Sequence, residues 1–405
     1  MSARGQHSVT RGDAAVRRRV GWIWALLFLN VLEWTKSPLI IAIPSRVGQG
    51  IAQGALWLAF LLALTVNPRV LLRRNLFLIL CTALAATSLI VSVRTLHLGS
   101  SYRAVRLIGF IATLWLLTPW FGRRDLLLLR CHLRCLMGVI VITFAGAMVS
   151  PGKAFQGSRL SGVVWPIPPT QVAHYAAIAV GIGVVLWLSG LPRRKAALTV
   201  TGFGLLILLL THTRTALIAL IVGILIAAAS LFIARRRARR ALAVSLLVIA
   251  LAGAIAFPSI TQWFLRGESA TIFTQLDGRT TVWHELTNAP RSETQMVFGF
   301  GLSNSSFQGR AIDNSWLAVY QDQGLIGDVL IGLFLLALLV TALIRPPGAY
   351  RALALFLVTY CIFASYTEVG LGNASPYLLD LTVAASVVML PRVSSGLSST
   401  SEPGF

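Results

Sequence analysis

The sequence has 405 residues, of which 56% are hydrophobic and only 12% are charged, and its mean hydropathy is +0.77. Soluble globular domains carry about 25% charged residues, so the composition excludes a soluble enzyme and indicates a membrane protein. The formal net charge of +22 would also fit a nucleic-acid-binding protein, but the basic residues follow the predicted loops of a membrane protein instead.

Apolar runs that are long enough to cross a bilayer recur along the chain, with few alternating polar and apolar positions. Because about 20 apolar residues span the hydrocarbon core as a helix, the pattern predicts an all-α, polytopic membrane protein of about 12 transmembrane helices. The predicted spans are 21–43, 51–67, 75–93, 104–121, 135–149, 171–190, 196–212, 215–234, 241–257, 323–344, 351–367 and 376–391.

These spans divide the chain into five regions. They are a basic N-terminal tail (1–20), helices one to nine (21–257), a large polar loop before helix ten (258–322), helices ten to twelve (323–391) and a C-terminal tail (392–405). A second polar segment, rich in Pro and Gly, covers 150–170. Loops on a rigid scaffold carry function, so we expect the site in these two segments.

Basic residues concentrate in the N-terminus and in every second predicted loop, and acidic residues concentrate in the other loops. Cytoplasmic loops carry the excess of Lys and Arg, so both termini are predicted to be cytoplasmic and the large loop to lie outside. The polybasic run 235–240 suits anionic lipid headgroups rather than nucleic acid. Lysine is rare among the basic residues, as in GC-rich genomes, which favours a bacterial inner or plasma membrane.

Three arginines lie near the predicted outer boundary of the membrane. Arg214 interrupts two apolar stretches, where a charge costs a few kcal/mol unless it pairs or faces water. Snorkelling of its long side chain is the alternative without a function. Arg159 and Arg279 lie in the two polar segments, and guanidinium groups bind phosphate oxygens bidentately. Together the three arginines favour a diphosphate-binding site.

The end of the large loop carries a second candidate group. Asp313 and Asn314 precede an apolar run, so Asp313 would lie at the edge of the membrane. A carboxylate there can accept a proton from a sugar hydroxyl. The alternative is a helix N-cap, since Asp before an apolar run is a common start signal.

Polar residues inside or beside the spans need partners in a membrane. Glu33 and Lys36 have the spacing of a salt bridge. Glu368 and Asp380 are predicted to orient one of the arginines, and His174 to be a satisfied helix-end histidine. The four cysteines show no metal-site spacing, so no metal or other cofactor is predicted, and a disulfide is not expected between Cys131 and Cys135.

An ordered series of short motifs resembles the O-antigen ligase and O-antigen polymerase family of membrane glycosyltransferases. The matching pieces are Arg159-Leu160-Ser161-Gly162, Thr213-Arg214-Thr215-Ala216-Leu217, Gly278-Arg279 with Trp283, Gly299-Phe300-Gly301, Asp313-Asn314 and Gly324-Leu325-Ile326-Gly327. The motifs cover about 150–345, and the predicted span count and long outer loop extend the resemblance to the whole chain.

The resemblance implies transfer of a glycan from an undecaprenyl-diphosphate carrier to an acceptor hydroxyl at the outer face, without a required metal. Arg159, Arg214 and Arg279 would hold the diphosphate and stabilise its charge as it leaves. The family usually has a His as the base where this chain has Asp313, with Asn314 beside it. Asp313 is therefore the predicted base, and His284 or His212 are the alternatives, each also a candidate for substrate binding.

The sequence leaves open whether the chain is a ligase or a polymerase, and which glycan or lipid-linked glycan is the acceptor. A flippase or transporter of lipid-linked oligosaccharides is the alternative class. It would favour polar or broken helices near the midplane, whereas the polar residues here concentrate on one side. A non-catalytic assembly component is the other alternative, because the family His is missing.

Overall fold

The structure, a computed structural model, is a bundle of helices, and its described residues include two short β-hairpins. It describes residues 3–35, 38–94, 98–123, 125–190, 194–232, 279–303 and 305–389; 75% of them are helical and 2% are in strands. Four predicted features lie outside the described residues, namely Lys36, the polybasic run 235–240, the span 241–257 with the following loop to 278, and the C-terminal tail.

The described helices are numbered here in chain order. They are α1 (Ala3–Val31), α2 (Ser45–Val66), α3 (Leu76–Arg94), α4 (Leu98–Leu116), α5 (Leu127–Val149), α6 (Pro151–Ala154), α7 (Pro169–Leu188), α8 (Arg194–Leu210), α9 (Arg214–Phe232), α10 (Arg279–Asn288), α11 (Glu293–Phe298), α12 (Ser315–Ile344), α13 (Ala349–Ala364) and α14 (Pro376–Val388). A 3-10 turn covers Thr118–Trp120. The hairpins pair β1 (Phe155–Gln156) with β2 (Arg159–Leu160) and β3 (Ser306–Phe307) with β4 (Arg310–Ala311).

Six of the described helices are long and apolar enough to cross a membrane, namely α2, α3, α5, α7, α9 and α12. The apolar parts of α8, α13 and α14 are shorter. The prediction of a mostly helical protein with several possible membrane spans is therefore confirmed, while the number of twelve spans stays a prediction.

Helix α7 lies at the centre of the bundle. In its apolar stretch 83% of the residues are buried, whereas the other five long helices bury 28–44% of theirs. It packs against α5, α8, α9 and α13. The other five long helices leave large apolar side chains such as Leu58, Val329 and Leu336 exposed, which is the pattern of lipid-facing surfaces. Helix α7 starts at Pro169, so the segment 150–168 leads directly into the core.

The first predicted span is wrong at its end, because α1 stops at Val31 rather than continuing to residue 43. The chain after it turns across the segment that precedes α7. The Thr35 amide donates to the Pro166 carbonyl (3.0 Å) and the Ile40 amide to the Val163 carbonyl (2.9 Å). These contacts satisfy backbone groups that a longer helix would have satisfied internally.

The large loop also ends earlier than predicted, because α12 begins at Ser315 and not at residue 323. Gly324 interrupts this helix with φ +65° and ψ −165°, a conformation that only glycine adopts easily. At the interruption the Phe300 amide donates to the Gln321 carbonyl (3.0 Å) and the Gly301 amide to the Asp322 carbonyl (2.9 Å). The loop backbone therefore supplies the hydrogen bonds that the broken helix lacks.

Candidate functional site

The first hairpin brings Arg159 to the turn between α8 and α9. Its two-residue turn, Gly157–Ser158, has φ angles of +54° and +63°, as tight hairpin turns require. Arg159 Nε donates to the Thr211 carbonyl (3.2 Å) and Nη2 to the Thr213 hydroxyl (3.3 Å). Arg214 starts α9 at the next residue, so two of the predicted arginines share this corner of the bundle.

Arg279, the first residue of α10, contacts Asp313 near the end of the predicted large loop. Its Nε lies 3.1 Å from Asp313 Oδ2, and its Nη1 donates to the Thr367 carbonyl at 3.1 Å. The Trp283 indole, one turn further along α10, donates to the Ile312 carbonyl (2.6 Å) and so holds the helix against this segment. The predicted arginine and the predicted base are therefore direct partners.

Glu368 connects the two arginine positions electrostatically. Burial raises the pKa of its carboxyl to about 8; the Arg279 guanidinium opposes this rise, the Asp313 carboxylate adds to it, and Arg159 makes a weaker contribution that opposes it. The Glu368 carbonyl also accepts a hydrogen bond from the Ser315 hydroxyl at 2.7 Å. That Glu368 orients one of the arginines stays a prediction.

A polar cavity of about 610 Å³ opens on the Asp313 side of this group. Its wall is built mainly from the ends of α1, α2, α4 and α14 and from the loop after α11. The lining residues with polar side chains are Asn30, Glu33, Trp34, Gln49, Gln53, Tyr102, Arg103, Arg106, Ser303, Ser305, Asp313, Asn373 and Ser375. Hydroxyl, amide and charged groups of both signs suit a hydroxyl-rich ligand.

An apolar groove of about 480 Å³ adjoins the same group. It is lined by Thr215, Ile218, Ala219, Trp316, Ile362, Phe363, Tyr366 and Thr367. Thr215 follows Arg214, and the Thr367 carbonyl accepts the hydrogen bond from Arg279. The groove therefore runs from the arginines along α9 and α13, whereas the cavity begins at Asp313.

Asn314, predicted to bind substrate, caps helix α12. Its side-chain oxygen accepts hydrogen bonds from the Trp316 amide (3.0 Å) and the Leu317 amide (3.1 Å), and the residue is 4% exposed. The alternative that Asp313 is the N-cap is thus wrong by one residue. Asp313 instead adopts φ +45°, which turns the chain into the cap.

The two alternative histidines lie in different surroundings. His284 is exposed on α10, where it contacts the Asn288 side chain of the same helix, and it lines neither the cavity nor the groove. His212 lies in the turn between α8 and α9 with φ +49°, two residues before Arg214. The structure therefore brings Arg159, Arg214, Arg279, Asp313 and His212 to one end of the bundle and leaves His284 on the outer surface.

A buried ionisable cluster was not predicted from the sequence. His132 Nε2 lies 2.7 Å from Asp380 Oδ1 and His174 Nε2 lies 2.8 Å from Asp380 Oδ2, and all three residues are at most 4% exposed. The prediction that Asp380 orients an arginine is wrong, because two histidines from α5 and α7 occupy its carboxylate. The available signal was an acid and two histidines within apolar runs, since such residues need partners in a membrane.

The described residues contain no group of three or more His, Cys, Asp or Glu side chains arranged to hold a metal ion. All four cysteines are free thiols. Comparison of the sequence with models of known protein families gives no match, and comparison with curated proteins gives no significant match.

Proposed function

We propose that the chain is a membrane glycosyltransferase of the O-antigen ligase or polymerase type. It would transfer a glycan from an undecaprenyl-diphosphate carrier to an acceptor hydroxyl at the outer face of a bacterial inner or plasma membrane. The observation that carries the proposal is the contact of Arg279 with both pockets: it pairs with Asp313, which lines the polar cavity, and it donates to the carbonyl of Thr367, which lines the apolar groove.

The groove and the arginines fit the two parts of the donor lipid. A polyprenyl chain is apolar and suits the groove along α9 and α13, which opens at residues adjoining Arg214 and Arg279. Guanidinium groups bind diphosphate oxygens through paired, charge-assisted hydrogen bonds. Arg159, Arg214 and Arg279 would thus hold the diphosphate and stabilise the negative charge that it gains on leaving.

The cavity fits the acceptor. In the proposed step the anomeric carbon breaks its bond to the diphosphate oxygen and forms a bond to the acceptor oxygen. The acceptor hydroxyl gives its proton to a carboxylate of the cavity wall, for which Asp313 is the candidate from the sequence. Asp313 also contacts Arg279, so the same ion pair adjoins both substrates.

Binding of the carrier tests the proposal directly. The full-length protein in lipid nanodiscs is titrated with undecaprenyl diphosphate, and with undecaprenyl monophosphate to measure the contribution of the second phosphate. Replacing Arg159, Arg214 or Arg279 by Ala is expected to weaken binding of the diphosphate about 10- to 100-fold each, because a hydrogen bond to a charged group contributes about 1.5–3 kcal/mol.

Arg310→Ala is the matched control, since Arg310 lies in the second hairpin, is exposed and pairs with Glu285. It should leave the affinity unchanged. Equal weakening in the control and in the three variants, or none in any of them, contradicts the proposal. In cells, transferase variants should accumulate carrier-linked glycan outside, whereas variants of a flippase should accumulate it inside.

A further inference from the structure

The polar cavity has a second carboxylate that the motif resemblance does not include. Glu33 follows the end of α1, lines the cavity together with Asp313, and is exposed to the cavity space. Within the described part of the chain, its carboxylate forms no ion pair, whereas one Asp313 oxygen contacts Arg279 at 3.1 Å. The two acids thus differ in their partners: the Asp313 carboxylate is paired with an arginine, and the Glu33 carboxylate is not paired with any described residue.

The backbone around Glu33 is held firmly, although it lies outside a helix. The Glu33 amide donates to Gln171 Oε1 (3.0 Å), and the Gln171 side-chain nitrogen donates to the Val31 carbonyl (3.3 Å). Gln171 is 6% exposed and belongs to the first turn of the central helix α7. Thr35 is tied to Pro166 through both its amide and its hydroxyl. A loop fixed at both ends can position a catalytic side chain.

We propose that Glu33 is the general base that accepts the proton of the acceptor hydroxyl, and that Asp313 acts chiefly by orienting Arg279 towards the diphosphate. This inference rests on the proposed transferase function and assigns the proton transfer within it. The hydroxyl proton passes to the Glu33 carboxylate as the new bond to the anomeric carbon forms, and the undecaprenyl diphosphate departs as an anion.

The charges around Glu33 support this division of roles. Its depth in the protein raises the pKa of the Glu33 carboxyl, the Asp313 carboxylate raises it further, and His174 opposes the rise. A base works best when its pKa is close to the working pH. The titratable groups that line the cavity or interact electrostatically with Glu33 are Tyr102, Arg103, Arg106, Asp313, His174, Tyr175 and Glu368.

His174 interacts electrostatically with Glu33. It contacts Asp380, which in turn contacts His132, and its ring packs against Tyr377 with the centroids 4.5 Å apart. Pro376, the residue before Tyr377, lines the cavity. The histidine therefore packs against a neighbour of the cavity lining and influences Glu33 electrostatically without lining the cavity itself.

The test uses the full-length protein in nanodiscs. A lipid extract from cells that lack the gene supplies the accumulated donor, and the membrane fraction of the same cells supplies the acceptor. Release of undecaprenyl diphosphate is followed by mass spectrometry across a range of pH. Glu33→Gln is expected to lower the rate about 10²- to 10⁴-fold, the usual contribution of general base catalysis, while affinity for undecaprenyl diphosphate stays within about twofold of wild type.

The pH profile separates a base from a merely structural residue. The wild-type rate should fall as the pH falls through the raised pKa of Glu33, because the protonated carboxyl cannot accept a proton. Glu33→Asp should be faster than Glu33→Gln and should keep the fall of the rate at low pH (the acid limb). Glu33→Gln should lose this acid limb. His174→Gln should move the limb to higher pH, since it removes a group that lowers the pKa of Glu33.

Glu293→Gln, at an exposed glutamate in the first turn of α11, is the control and should match wild type. A wild-type rate and profile in Glu33→Gln, with loss of the rate in Asp313→Asn, would overturn the assignment and leave the transferase function intact. Failure of the wild-type protein to release undecaprenyl diphosphate would overturn both.

Discussion

Asp380 has a partner on each carboxylate oxygen, and both partners come from other helices. Its contacts of 2.7 Å to His132 and 2.8 Å to His174 link α14 to α5 and α7. The Trp24 indole points its N–H at His132 Nδ1 from 3.4 Å, which favours a proton on Nε2, facing the carboxylate. Asp380 thus joins α5, α7 and α14, and Trp24 adds α1 to the cluster through His132.

Asp380→Ala should therefore destabilise the protein by about 3–5 kcal/mol, because removing one partner of a buried ionic group leaves the others unpaired. The free energy of unfolding can be measured in mixed micelles with increasing denaturing detergent. Glu285→Ala is the control, since it breaks a surface ion pair with Arg310 and such pairs contribute about 0.2–1 kcal/mol. Equal losses in the two variants would show that the buried cluster carries no special stabilisation.

The sequence indicates Arg214 because a charge beside apolar runs needs a partner, and the ordered motifs indicate Arg159, Arg279 and Asp313. The distances between these residues cannot be read from the sequence, because Arg279 contacts Asp313 only when α10 packs beside the start of α12. The spacing of Glu33 and Lys36 predicts a local salt bridge only for as long as α1 is taken to continue through both residues. The helix end at Val31 is what turns Glu33 into the cavity.

At the scale of single elements, the glycines of two motifs meet in space. Gly324 interrupts α12, and a Cβ built on it would lie 2.4 Å from the Val297 carbonyl oxygen. A Cβ on Gly299 would lie 2.5 Å from the Asp322 carbonyl carbon. Both neighbours are backbone atoms, which cannot move aside as a flexible side chain can. The Gly299-Phe300-Gly301 and Gly324-Leu325-Ile326-Gly327 motifs therefore form one packed joint.

Gly324→Ala is accordingly expected to destabilise the fold by about 1–3 kcal/mol or more, combining backbone strain with a steric clash. Gly332→Ala lies in the same helix and has no atom within 4 Å of its Cβ, so it should stabilise the protein by up to about 1 kcal/mol through helix propensity. The unfolding assay used for Asp380 measures both. A change of the free energy of unfolding with the same sign in both variants would contradict the close packing at Gly324.

Element boundaries followed the sequence where hydrophobicity alone decides them. Predicted spans at 75–93, 171–190 and 215–234 match α3, α7 and α9 to within a few residues. The end of α1 and the interruption of α12 did not follow, because distant backbone partners decide them: Val163 and Pro166 in the first case and residues 300–301 in the second. Hydropathy carries no information about such tertiary hydrogen bonds.

At the scale of the whole molecule, the native cysteines favour a topology experiment. Cys81, Cys131 and Cys361 are buried and Cys135 is partly buried, so single exposed cysteines can be introduced on this background. Ser158, in the turn of the first hairpin, and Arg69, after α2, are both exposed. The predicted topology assigns Ser158 to the outer side and Arg69 to the cytoplasm.

Ser158→Cys should therefore react with a membrane-impermeant maleimide in intact cells, whereas Arg69→Cys should react only after permeabilisation. The wild-type chain provides the background labelling. The reverse pattern would locate the cavity and the arginines in the cytoplasm, where a transfer at the outer face is impossible, and the proposed function would then fail as a whole.

Residues 300–301 form backbone hydrogen bonds with α12 at its interruption. The loop is therefore not expected to keep its structure as an isolated peptide. Helices α10 and α11 have 10 and 6 residues, and helices of this length are marginal in water without tertiary support. A synthetic peptide covering 279–314 would lack the main-chain partners that α12 provides. Antibodies raised against such a peptide should therefore recognise the denatured chain on a blot, and native protein poorly.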